Sequence, residues 1–161
     1  LYQLPEGLRV VDPSPLFLAN LLATPSYVSL ESALSFHGLI PERVPLVQSV
    51  TPRRPELVAN PAGTFAYRHV KPDWFFGYRE TPVPGGTALI AEPEKALLDL
   101  VHLSRGDFPE ERIAELRLDG LDRVDPSRVR AFARRGSPRV RRSADRLARW
   151  IEHEAQTSSP S

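Results

Sequence analysis

The stretch from Thr87 to Leu103 leaves this chain the least freedom. Thr87-Ala88-Leu89-Ile90 is short and apolar, and Pro93 follows where a helix would begin. Proline suits the first helical position, because its missing N–H is not needed there. Glu92 and Glu94 put negative charge at the positive end of the helix dipole. Ala96, Leu97, Leu100 and Val101, with His102 and Leu103, then form a broad apolar stripe at helical spacing. A strand that runs straight into such a helix predicts one core shared by both.

The rest of the chain supplies the partners. Asp12 and Ser14 before Pro15 mark the start of a helix over 16–23, which Thr24-Pro25 ends. Ser29 reads as the N-cap of a second helix, with Glu31 in its first turn and Gly38 as its stop. From 45 to 90 the period changes. Residues 46–51 and 65–70 alternate, 74–79 is rich in strand formers, and Pro/Gly/Asn clusters mark turns between them. Further helices are predicted from 109 to about 118, from 126 to 135 and from 138 to 155. The fold class is α+β: a mainly antiparallel sheet of four to five strands, helices packed on one face, and a helical, arginine-rich C-terminus. Residues 1–122 are expected to form the core domain, 123–155 a basic helical extension packed on it, and 156–161 a disordered polar tail. Residues 1–10 suit a short hairpin or an extended entry.

Composition removes whole classes of function. The 161 residues contain no cysteine, which excludes disulfides and thiolate–metal chemistry. No stretch approaches a membrane span and no secretory signal is visible, so a cytoplasmic protein is expected. Methionine is also absent and Leu1 comes first, so a segment upstream is expected. The net charge of +1 hides an asymmetry. Residues 123–161 carry ten basic side chains, all arginine, against four acidic ones, whereas 1–122 are net acidic. A basic C-terminal part suits an anionic partner.

The candidate site residues follow from that asymmetry. Arg139, Arg142, Arg146 and Arg149 recur at helical spacing, about 5–6 Å apart, and guanidinium forks match phosphate and carboxylate geometry. The plain alternative is a solvated helix face, partly neutralised by Asp145, Glu152 and Glu154. Arg53 and Arg54 in a turn, with Arg68, His69 and Lys71, form a second basic group. Catalytic signals are missing. Ser29, Glu31, Ser32 and His37 complete no hydrolase constellation. Lys95 directly follows Glu94, which breaks the carboxylate-x-lysine spacing of a magnesium nuclease. No phosphate-binding glycine loop, metal-ligand histidine pair or cofactor motif is present.

Three runs are similar to one family. They are Pro25 through Ile40, with Ser29, Glu31 and Ser32; Val50-Thr51-Pro52-Arg53-Arg54 with Phe65 through Val70; and Ala91 through Leu100, with Glu94 and Lys95. In order and spacing they resemble AbiEi antitoxins of bacterial type IV toxin–antitoxin (abortive infection) systems, over roughly residues 10–105. The resemblance implies a non-enzymatic C-terminal domain, normally preceded by a winged helix of which Leu1–Leu4 would be the last strand. It implies a phage-defence regulator that counters a nucleotidyltransferase-type toxin and, through the full-length protein, binds operator DNA to repress its own operon. The family-motif positions Ser29, Glu31, Ser32, Glu94 and Lys95 are then structural. The alternatives are a nucleic-acid-binding module built on the arginines or a degenerate restriction-endonuclease-like enzyme.

Overall fold

Ser14 opens the first helix by accepting the Leu16 N–H at 3.1 Å, as its position before Pro15 predicts. The computed structural model describes residues 12–158; the expectations for 1–10 and for 159–161 lie outside the described residues. In chain order the elements are α1 (Pro15–Leu22), β1 (Tyr27–Val28), α2 (Leu30–Phe36), β2 (Val47–Thr51), β3 (Glu56–Asn60), β4 (Gly63–His69), β5 (Tyr78–Val83), β6 (Gly86–Ala91), α3 (Pro93–Leu103), α4 (Glu110–Glu115), α5 (Pro126–Ala133) and α6 (Pro138–Ser158). Short 3₁₀ turns cover Pro72–Trp74 and Leu121–Arg123.

The class is α+β, but the sheet is mixed and, among the described residues, has six strands in the order β3-β4-β2-β1-β6-β5. β2 pairs in parallel with β4, and β1 with β6; the other three pairings are antiparallel. Two strands escape a periodicity argument. β1 has only two residues, both buried in the middle of the sheet, and β3 is a mostly exposed edge strand between Pro55 and Pro61. The strand expected over 74–79 begins only at Tyr78, because Trp74 closes a 3₁₀ turn and is buried. β5 instead runs through Pro82, which an edge strand tolerates.

Helices cover both faces of the sheet, not one. Tyr67 lies opposite Ser49 and sends its hydroxyl to the Ala19 carbonyl of α1 at 2.6 Å. Tyr27 lies opposite Val50, one residue on and therefore on the other face, and it reaches Asp99 of α3. α5 and α6 pack on α3, and one hydrophobic cluster runs from Phe65 and Ile90 through Leu97 to Val129, Leu147 and Ile151. α6 continues through Ser158, past the predicted end at 155. Among the described residues no helix is long and apolar enough to cross a membrane.

Gly77 joins the 3₁₀ turn to β5 at φ 80°, and a Cβ there would lie 2.8 Å from Lys95 Cγ. Its carbonyl also accepts the Glu92 N–H that leads into α3. Gly77→Ala combines a left-handed backbone penalty with overpacking against a buried stem. It should cost about 3 kcal/mol in a urea unfolding experiment. Gly106→Ala, also at positive φ but with open space around it, should cost about 1 kcal/mol.

Candidate functional site

α3 carries two charged residues where the helix is buried on every side. Lys95 and Asp99, one turn apart, are both fully buried and form an ion pair at 2.9 Å. The ammonium uses all three of its protons: to Asp99 Oδ1, to the Tyr27 hydroxyl at 2.7 Å and to the Trp74 carbonyl at 2.8 Å. Asp99 accepts four hydrogen bonds, from Lys95, from Trp74 Nε1 at 2.8 Å, from Tyr27 at 2.9 Å and from Ser29 at 2.6 Å. The rings of Trp74, Phe76 and Tyr27 surround the ammonium with centroids 4.4–5.3 Å away. Burial pulls the Lys95 pKa below its ordinary value, with Asp99 opposing, and burial plus the neighbouring Asp99 carboxylate holds Tyr27 protonated. No member of this box is free to react with a ligand.

The backbone is bent to serve the box. Ser29 stands at the N-cap of α2 but makes no capping bond; its hydroxyl goes to Asp99 instead. Leu30 next to it adopts φ 57°, a left-handed conformation that costs about 1–2 kcal/mol for a non-glycine residue. Ser32 ties α2 to β2, donating to the Leu46 carbonyl and accepting the Gln48 N–H, while Glu31 is exposed. The outer side of the box is closed by the C-terminal helices. Phe132 meets Phe76 edge-on at 5.5 Å and Arg135 lies over Phe76 at 4.1 Å.

Glu94, although adjacent to Lys95, faces away from the box. With Glu92 it lines a cleft of about 330 Å³ at the end of β6, shared with Arg79, Arg123, Arg128 and His37. Arg79 and Arg128 both pair with Glu92. Glu94 has less support: a 3.3 Å contact from the Asp125 N–H and Arg128 at 4.0 Å. Burial therefore raises the Glu94 pKa, against the pull of Asp125 N–H and Arg128. His37 holds the Ala91 carbonyl at 2.8 Å, and burial lowers its pKa. Arg123 donates to the His37 carbonyl and lies over Gly38 and Gly120, both at positive φ, where a Cβ would crowd its guanidinium. Among the described residues no group of three or more His, Asp or Glu side chains is placed to hold a metal ion.

The predicted arginine stripe is divided. Arg139 donates to the carbonyls of Val101, His102 and Gly106, stapling the C-terminus of α3, and Arg146 donates to the Phe108 carbonyl. Arg149 is exposed and pairs with Asp145 at 2.7 Å; Arg142 is exposed and makes no hydrogen bond or ion pair with the described residues. Only the last two present guanidinium groups outward. Arg53 and Arg54 are exposed in the turn after β2, where the Arg53 carbonyl meets the His69 ring at 2.9 Å. Arg68 reaches the Leu103 carbonyl at 3.4 Å, so Arg68 and Arg139 meet carbonyl groups at the same end of α3.

Removing one partner of the buried pair leaves the other charge uncompensated. Lys95→Met and Asp99→Leu should each cost about 3–5 kcal/mol. The double variant should cost at least about 2 kcal/mol less than their sum, read from a denaturation cycle. Glu94 gives a pH signature. Between 4.5 and its raised pKa the folded chain keeps a proton that the unfolded chain has lost, so its contribution falls as pH rises through that window. Glu94→Gln should therefore be more stable than the natural chain at pH 7, with the difference in Tm closing as pH falls to 4.5. Compared with protein-family models, curated proteins and solved structures, the chain matches none.

Proposed function

We propose that this chain is the non-enzymatic binding and regulatory domain of an AbiEi-like type IV antitoxin. It acts in the cytoplasm, counters a nucleotidyltransferase-type toxin and, in the full-length protein, supports repression of its own operon. The observation that carries this reading is the buried box. Two of the runs that resemble the family meet there: Tyr27 and Ser29 come from one, Lys95 and Asp99 from the other. Their polar groups are spent on each other, as scaffold residues are. Such a scaffold leaves recognition to the exterior, where Arg142, Arg149, Arg53 and Arg54 are exposed.

Co-expression with the nucleotidyltransferase-type toxin encoded beside it tests the reading. Growth should recover with the natural chain, and Arg53→Gln, Arg54→Gln, Arg142→Gln and Arg149→Gln together should weaken recovery at equal expression. Growth arrest persisting beside a folded, well-expressed chain would remove toxin neutralisation from this domain. Mg²⁺-dependent cleavage of DNA or RNA that stops on replacing Glu94 would favour the enzyme alternative instead.

The exposure of Arg53, Arg54, Arg142 and Arg149 favours a second reading, nucleic-acid binding. Affinity should then fall with salt, and each lost phosphate contact should lower the salt slope by roughly one. Arg142 and Arg149 are the residues to replace, because Arg139 and Arg146 also hold carbonyl groups of the fold.

A further inference from the structure

The cleft at the end of β6 has no part in the box, and its lining is chemically two-sided. On its inner side Glu94 is 3% exposed, and beyond its own backbone N–H its carboxylate has only long contacts, from the Asp125 N–H at 3.3 Å and from Arg128 at 4.0 Å. A carboxylate has about four acceptor positions, and buried ones are normally filled. Glu92, by contrast, has each carboxylate oxygen paired with a guanidinium group. At the rim stand arginines from three separate elements, with donors to spare. Arg79 engages only its Nε, and Arg123 only the Nη1 that meets the His37 carbonyl. Gly38 and Gly120 hold the Arg123 guanidinium in place by leaving it room. The lining also includes Ile90, Ala91 and Pro93.

The three arginines are balanced by Glu92, Glu94 and Asp125, so a bare anion or a bare cation finds no net attraction here. A complementary ligand presents N–H donors at one end for Glu94 and an anion at the other for the rim arginines, joined by a flat body. We propose that this cleft binds a guanine mononucleotide, with the base N–H edge on Glu94 and the phosphate on Arg123 and Arg79. Paired N1–H and N2–H donors match a carboxylate, as in other sites that read a base by its Watson–Crick edge. The phosphate receives the charge-assisted donors of the rim. The volume lies at the small end for ligand clefts, enough for one mononucleotide and not for a strand.

Calorimetric titration of the full chain with GMP, guanosine, AMP and inorganic phosphate at pH 7.5 tests this. GMP should saturate one site, with AMP and phosphate each weaker by at least about tenfold, the worth of one charge-assisted hydrogen bond. Glu94→Gln should weaken GMP by at least about tenfold. Arg123→Gln, at an exposed position and with folding checked by its unfolding curve, should weaken GMP by a similar factor and leave guanosine unchanged. No saturation of the folded chain by millimolar GMP overturns the proposal. So does phosphate or AMP binding as tightly as GMP, or GMP binding that neither substitution alters.

Discussion

A buried ammonium and carboxylate on one helix set the terms for everything around them. Taking two charges out of water costs several kcal/mol per ion, and the pair repays that only with good geometry and every remaining proton and lone pair satisfied. Satisfying Lys95 and Asp99 takes a tyrosine from β1, a serine from the start of α2, and both the indole and the carbonyl of Trp74. Elements from three separate parts of the chain are thereby fixed to α3. Even local irregularities follow from this. Ser29 gives up its cap, Leu30 turns left-handed, and position 77 has room for no side chain.

The C-terminal helices belong to the same construction. A box open on its outer side would let water reach the ammonium and weaken the pair. Phe132 and Arg135 close that side against Phe76. Arg139 fixes α6 to the end of α3, and Arg130 joins α5 to α6 through Asp145 and Glu152. The concentration of arginine in this part of the chain is therefore partly architectural. A guanidinium has five donors in a fixed fork, so one side chain can hold several carbonyl groups at a helix end.

What the sequence revealed depended on how local each signal was. The turn from β6 into α3 was legible because Pro93, the flanking glutamates and the apolar stripe all act within a few residues. β1 was not, since two residues carry no period, and β3 was not, since an exposed edge strand has no buried side. The division of the arginine stripe was also hidden: spacing places four guanidinium groups on one face, but which of them meets a carbonyl depends on α3 and α4. The box needed contacts about 70 residues apart. One local clue did exist. Lys95 and Asp99 sit among Ala96, Leu97, Leu98 and Val101, so a helix apolar enough to be buried all round had to bury its charges too.

Glu94 and Lys95 show why adjacency in a motif is a poor guide to shared chemistry. Successive residues on a helix point about 100° apart, so a neighbouring acid and base need not meet. Lys95 turns inward, where Asp99 already neutralises it. Glu94 turns to the cleft, where no lysine is among the lining residues. The two surfaces are joined through backbone and side chains: Glu92 N–H meets the Gly77 carbonyl beside the Lys95 stem, and Arg128 of the cleft lies over Phe132, which packs on Phe76. The satisfied side of α3 therefore fixes the orientation of the unsatisfied side. A rigid scaffold that leaves one buried carboxylate short of donors is suited to recognition, because the missing hydrogen bonds must come from whatever enters the cleft.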